Sequence, residues 1–120
     1  MARSDDLSEA LLSAPEGAGR IMDFQRGDLH WQIAVPADGR LPFDGAFPAM
    51  IAWQGRAAGP DHPSRRLPER GCRLRLLELI HPQADRLAAP LIADPRIVVL
   101  QGPVPGQVAV IDTPDGEGRL

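Results

Sequence analysis

Residues 72–90 read CRLRLLELIHPQADRLAAP, and this stretch decides the fold class. The leucine-dense run from Cys72 to Ile80 predicts a strand. His81-Pro82 then predicts the start of a helix, because proline is favoured at the first helical position. Pro90 is expected to kink or tighten the helix end, since it lacks a backbone N–H. The apolar stripe of this helix is predicted to comprise Ala84, Leu87, Ala88, Leu91 and Ile92.

Three short strands are predicted after this helix. They cover Arg96 to Leu100, Gln107 to Asp112, and Glu117 to Leu120. Thr113-Pro114-Asp115-Gly116 is a strong turn signal between the last two, with proline at the second position and glycine at the fourth. Residues 71–120 are therefore predicted to form a βαβββ module.

The first 70 residues predict simpler elements. Residues 1–19 are expected to hold a helix capped by Ser4, followed by a linker. A hairpin is predicted from Ile21 to Val35, with its turn at Arg26-Gly27-Asp28. Ala49 to Gln54 is predicted as a further strand. A loop of about 17 residues from Gly55 to Gly71 follows, and loops of that length often line or cover a site.

Composition excludes several classes of partner. The chain has 120 residues and a net charge of -3, so it lacks the basic surface that nucleic acids or anionic membranes require. No apolar run approaches the roughly 18–20 residues of a membrane span. All 13 basic residues are arginine and tyrosine is absent, which removes lysine and tyrosine chemistry. Cys72 is the only cysteine; we expect a buried structural thiol and a cytoplasmic setting.

The order of these pieces resembles the vicinal-oxygen-chelate (glyoxalase/bleomycin resistance/dioxygenase) superfamily. Modules there often end in an Asp-Pro-Asp-Gly turn, similar to Asp112-Thr-Pro-Asp-Gly116 here. The middle of the chain is similar to the C-terminal half of the glyoxalase-like domain group. The matching pieces are Pro42-Phe43, Ala49 to Trp53, His62-Pro63 and Gly71 to Leu74. The resemblance covers residues 20–120. It implies an α+β fold: a curved mixed sheet of six or seven strands with one outer helix, plus the N-terminal helix and hairpin.

Two features of the chain differ from the pattern of the superfamily. A complete domain pairs two modules, but only one is recognised here. The second would come from another copy, from a different chain, or not at all; of these we expect a homodimer. Metal-using members place His, Gln or Glu early on the module's first strand and Glu on its last. Here those positions hold Arg73 and Arg75, and Arg119 or Leu120. Arginine cannot ligate a divalent cation, so we expect no metal and no other cofactor.

Four residues are the candidates for a ligand pocket: His30, Gln32, Trp53 and His62. Each also has a simpler interpretation. His30 and Gln32 would then face water, Trp53 would fill the core, and His62 would be a solvated loop residue. His81 is expected to cap the helix. Glu78 is expected to pair with Arg96 or Arg119, because an unpaired buried charge is costly.

Three functions remain open at this stage, and whether the protein is an enzyme stays undecided. The first is metal-free small-molecule binding on a glyoxalase-like fold. The second is a metal-dependent lyase or dioxygenase, which would need two or more of His30, His62 and Glu78 to converge. The third is a non-catalytic, degenerate half-domain that acts by dimerisation. No catalytic residue is predicted.

Overall fold

A computed structural model describes residues 1–88 and 94–120. The chain divides into two compact units, residues 1–68 and 69–120. Each unit contains one four-stranded sheet, which confirms the α+β class. The prediction of one sheet with six or seven strands is wrong, because the described strands form two sheets of four.

The first unit contains four strands, one helix and three short 3₁₀ helices. The strands pair in the order β1-β4-β3-β2, with β1 parallel to β4 and the other pairs antiparallel. The 3₁₀ helices are Phe43–Gly45, Gly55–Ala58 and Pro63–Arg66. The other elements, in chain order, are β1 (Ala2–Arg3), α1 (Leu7–Leu12), β2 (Arg20–Arg26), β3 (Leu29–Val35) and β4 (Met50–Trp53).

The hairpin of β2 and β3 is set by its turn. Gly27 and Asp28 form a two-residue connection between the paired residues Arg26 and Leu29. Gly27 has a φ of +61°, in the left-handed region that glycine adopts without a Cβ penalty. The predicted hairpin is therefore confirmed, and its register follows from the turn.

Helix α1 begins two residues later than a cap at Ser4 would place it. Asp6 is the N-cap, and its carboxylate accepts a hydrogen bond from the backbone N–H of Glu9 at 3.0 Å. Ser4 donates its hydroxyl to the carbonyl of Asp6 instead. The aspartate carboxylate satisfies an otherwise unpaired helical N–H. The helix contacts β3 and β4, and its Leu7 is buried.

The first unit also has the chain order strand, helix, strand, strand, strand. This order was not predicted, because β1 has only two residues, which show no periodicity. Its pairing with β4 joins Ala2 to Met50 and Arg3 to Ile51. The interpretation that only one βαβββ-ordered unit is present is thus wrong.

The second unit has the predicted βαβββ order. Its strands pair in the order β6-β5-β7-β8, with β5 parallel to β6 and antiparallel to β7. Its elements are β5 (Arg73–His81), α2 (Ala84–Ala88), β6 (Ile97–Gln101), β7 (Gly106–Thr113) and β8 (Gly116–Arg119).

Strand β5 is central because it is apolar on both faces. On one face, Leu79 is buried and shares that face with Leu77. On the other face, Leu76 pairs across the strands with Val110, which is buried. Leu87 of α2 is fully buried where this helix packs on β6 and β5. Pro82 lies in the turn before α2 rather than in its first position. The predictions for Pro90, Leu91 and Ile92 lie outside the described residues.

Candidate functional site

The four pocket candidates lie in the first unit, but its sheet separates them into two pairs. Trp53 is the register partner of Trp31 on β3. Paired residues project from the same face, and neighbours along a strand project from opposite faces. His30 and Gln32 therefore lie on the face opposite Trp53. His62 contacts the Trp53 ring, so Trp53 and His62 form the second pair.

Trp53 and His62 belong to a row of four rings, which we call the aromatic row: Phe24, Trp31, Trp53 and His62. Phe24 and Trp31 are stacked, with centroids 6.1 Å apart and planes inclined by 11°. Trp31 and Trp53 are 5.5 Å apart. Trp53 meets His62 edge to face at 5.4 Å and 71°. The rings cross three adjacent elements: β2, β3 and the end of β4 with its following loop.

One end of the aromatic row is open. Phe24 is 38% exposed, and Met22, which precedes it on the same face of the strand, is 37% exposed. Both belong to β2, one of the two edge strands of the sheet. Aromatic faces and edges attract flat unsaturated groups, so the row offers a surface on which a planar molecule can pack.

His62 is held at the other end by the turn that it caps. Its Nδ1 accepts the backbone N–H of Ser64 at 3.2 Å and lies 2.7 Å from the Ser64 hydroxyl. A ring nitrogen that accepts a hydrogen bond carries no proton, so in the neutral imidazole the proton is on Nε2. Nε2 is buried and has no hydrogen-bond partner among the described residues. The ring therefore presents an unsatisfied N–H donor.

Ion pairs fix the segment that carries His62. Arg66 binds Asp28 in the hairpin turn at 3.1 Å, and Arg56 binds Asp61 next to His62. Hydrogen bonds from these guanidinium groups lower the pKa of Asp28 and of Asp61. The segment predicted as a 17-residue loop contains two 3₁₀ helices and several such ties. The Arg66–Asp28 pair joins this segment to the hairpin turn.

The opposite face carries a polar chain that includes Gln32. Gln32 donates its amide N–H to Asp23 at 2.9 Å and accepts one from Gln54 at 3.3 Å. His30 lies beside it and is exposed. On the same face, Ala52, the register partner of Gln32, and Ala34 are buried. Gln32 is therefore already engaged by its sheet neighbours.

In the second unit, arginine side chains pair with the carboxylates of the strands. Arg119 lies 3.6 Å from Glu78, which confirms the predicted ion pair. Arg75 pairs with Asp112 and Glu117, and Arg96 pairs with Asp94 rather than with Glu78. A carboxylate neutralised by arginine is a poor ligand for a cation. Among the described residues, no group of three or more His, Cys, Asp or Glu side chains is placed to hold a metal ion. These residues do not fit a divalent metal.

Two other predictions had different outcomes. His81 is buried, and its Nδ1 accepts the backbone N–H of Gln83 at 3.0 Å. Gln83 precedes α2, so this bond lies in the turn before the helix and does not satisfy a helical N–H, unlike the predicted capping role. The prediction that Cys72 is buried is wrong, because it precedes β5 and its thiol is exposed. Leaving the strand by one residue removes it from the neighbours that would have covered it.

Phe24, Trp31 and Ser64 are the site residues that the sequence analysis missed. Phe24 and Trp31 are equidistant from the two-residue turn at Gly27 and Asp28, and pair across the hairpin. This spacing could have revealed their contact. The Ser64 contact depends on the 3₁₀ helix that begins at Pro63, for which the only signal is the His-Pro dipeptide.

The architecture defines the class: an α+β protein built on βαβββ-ordered units. A family model described as a glyoxalase-like domain matches residues 1–93. The chain belongs to this glyoxalase-like family of the vicinal-oxygen-chelate superfamily. The match covers the first unit with β5 and α2, and ends before β6. Searches of curated proteins and of solved structures gave no match. Within the described ranges, no helix combines the length and apolarity needed to cross a bilayer.

Proposed function

We propose that the protein is a metal-free, small-molecule-binding member of the glyoxalase-like family, and that its ligand packs on the aromatic row. The observation that carries this proposal is the buried Nε2–H of His62, which has no acceptor among the described residues. An unsatisfied buried donor costs about 1–3 kcal/mol. A ligand that brings an acceptor to this N–H removes that cost, so binding is favoured beyond the packing alone.

The ligand class follows from the neighbours of that N–H. The rings of Trp31 and Trp53 favour a flat, largely apolar molecule. His62 adds one directional donor, which requires a carbonyl or similar acceptor at the edge of the molecule. Because Nε2 is covered, entry requires a local shift of the side chains around it. The proposal therefore describes binding of a planar carbonyl compound and assigns no reaction.

Two probes of the same shape test this proposal. Acetophenone carries a carbonyl oxygen where α-methylstyrene has a CH₂ group. The chain has two tryptophans, and both belong to the aromatic row, so their indole N–H signals in ¹H–¹⁵N spectra report on this site alone. We expect acetophenone to shift both signals and to bind at least about tenfold more tightly than α-methylstyrene.

The matched variants separate the donor from the cap. His62→Asn keeps a side-chain oxygen for the Ser64 N–H, because asparagine is a good N-cap residue, but it removes the Nε2–H. Ser64→Ala keeps the imidazole donor and removes the hydroxyl contact. We expect His62→Asn to abolish the preference for acetophenone, and Ser64→Ala to retain it. Equal binding of the two probes by the native protein would refute the role of His62, and binding of neither would refute the site.

We also propose that the chain forms a homodimer in a reducing, cytoplasmic setting. The need for a second module does not support the dimer, since the first unit also has βαβββ order. Support comes from β6, an edge strand whose Val98 and Leu100 are each more than a third exposed. Light scattering should give a dimer mass for the native chain and for Val104→Glu, which changes an exposed turn residue. Leu100→Glu should give a monomer; a native monomer would contradict the proposal.

A further inference from the structure

A second candidate site lies in the first unit, at the base of the hairpin. A cleft of about 520 Å³ opens there between residues 16–20 and residues 35–42. This volume is within the range of small-molecule sites, roughly 300–1,000 Å³. None of the aromatic-row residues lines it. Any ligand here would therefore be independent of the function proposed above.

Glycine and proline fix the walls of the cleft. Gly19 has a φ of +104°, and a Cβ on it would lie 2.3 Å from the Val35 carbonyl carbon and 2.4 Å from the Pro36 nitrogen. Only glycine allows this approach of the two segments. Pro36 and Pro42 restrict the facing wall. The cleft is thus formed in the absence of a ligand, which reduces the entropy that binding must overcome.

Each wall carries one acidic and one basic side chain. Glu16 and Arg20 line one wall, and Asp38 and Arg40 line the other. Across the described residues, seven of the 13 arginines lie within ion-pair distance of a carboxylate. Arg20 and Arg40 are not among those seven, although two carboxylates line the same cleft. Two cations and two anions therefore remain available to a ligand.

We propose that this cleft binds a small zwitterion of amino-acid or dipeptide size. Its carboxylate contacts Arg20 and Arg40, since guanidinium groups bind carboxylates with good geometry. Its ammonium group contacts Glu16 and Asp38. A simple anion is disfavoured, because it meets two carboxylates in the same cleft. Asp38 Oδ1 already accepts the backbone N–H of Arg40 at 3.0 Å, which leaves the other carboxylate oxygen for the ligand.

The test compares three probes by the backbone amide signals of Gly17, Gly19 and Arg40. L-alanyl-L-alanine carries both charges, N-acetyl-L-alanine lacks the ammonium group, and inorganic phosphate is a plain anion. We expect saturable shifts with the dipeptide and at least about tenfold weaker binding of the other two, because each loses charged hydrogen bonds. The indole signals of Trp31 and Trp53 should not move.

Charge-matched variants complete the test. The double variant Arg20→Gln/Arg40→Gln should weaken dipeptide binding at least about tenfold. The control, Arg26→Gln/Arg65→Gln, makes the same charge change outside the cleft and should retain binding. Asp38→Asn keeps the oxygen that accepts the Arg40 N–H, so it removes only the charge and should also weaken binding. Equal binding of the dipeptide and N-acetyl-L-alanine would overturn the zwitterion assignment. Shifts that do not saturate, or equal loss in both double variants, would overturn the site.

Discussion

The two units share one order of elements but differ in strand pairing. In the first unit the opening strand is at the sheet edge and pairs with the unit's last strand, in the order β1-β4-β3-β2. In the second the opening strand is internal and pairs with the next two strands, in the order β6-β5-β7-β8. The same chain order therefore yields two topologies.

Strand length and composition explain this difference. Strand β1 has two residues, Ala2 and Arg3, and offers little to bury on either face. Strand β5 has nine residues with leucines on both faces, so it is stable only between two neighbours. The residues of the first strand, rather than the order of elements, therefore decide where that strand lies in its sheet.

The units also use different side-chain contacts. The first relies on the aromatic row and on ties between loop and turn. The second combines aliphatic packing with ion pairs across its strands, such as Glu78 with Arg119 and Arg75 with Asp112. We therefore place ligand binding in the first unit.

The largest expected loss of stability comes from a substitution in the aliphatic core of the second unit. Leu87 is fully buried between α2 and the sheet. Leu87→Ala removes this contact and leaves a cavity, so we expect the free energy of unfolding to fall by about 2–5 kcal/mol. Urea unfolding followed by circular dichroism measures this change. Leu120→Ala, at an exposed position, is the control and should change stability by less than about 0.5 kcal/mol. An equal effect of the two would contradict the packing described.

The next largest loss of stability is expected at Gly19, which lies at the base of the hairpin in the first unit. Gly19→Ala combines a positive φ with a backbone clash, and we expect a loss of about 1–3 kcal/mol. Gly27→Ala has a positive φ but meets no atom within 4 Å, so its loss should be smaller, about 1 kcal/mol. Thermal unfolding compares the two variants. A larger loss for Gly27→Ala would mean that Gly19 is not in close contact with Val35.

The aromatic row gives a third, smaller effect. Trp31 contacts both Phe24 and Trp53, whereas Phe24 contacts Trp31 alone among the row's rings. Each ring contact contributes about 0.5–1.5 kcal/mol beyond the buried area. Trp31→Leu should therefore destabilise the protein more than Phe24→Leu in urea unfolding. Equal losses would contradict the central position of Trp31 in the row.

The smallest effect concerns acid sensitivity in the second unit. Hydrogen bonds from Arg73 lower the pKa of Glu69 to about 2, and those from Arg96 lower the pKa of Asp94 to about 2. Because the folded pKa is below the unfolded value, the stabilisation is present above about pH 4.5 and lost as pH falls towards 2. Glu69→Gln/Asp94→Asn should flatten this part of the stability profile. An unchanged profile would contradict the two pairings.

The second unit was more predictable than the first. Its strands, its turn at Thr113 to Gly116 and the Glu78–Arg119 pair follow from local periodicity and from the cost of an unpaired charge. The β1–β4 pairing is non-local and involves too few residues to leave a pattern. The location of His62 beside Trp53 depends on two 3₁₀ helices and on the Arg66–Asp28 tie, which no sequence spacing specifies.

The most direct test of the central claim is the state of the His62 ring. Long-range ¹H–¹⁵N correlation spectra distinguish the two nitrogens of the imidazole. We predict that Nε2 carries the proton at neutral pH, that Nδ1 has the shift of an acceptor, and that acetophenone moves the Nε2 resonance while α-methylstyrene leaves it in place. A proton on Nδ1, or an Nε2 resonance that acetophenone does not move, would contradict the account.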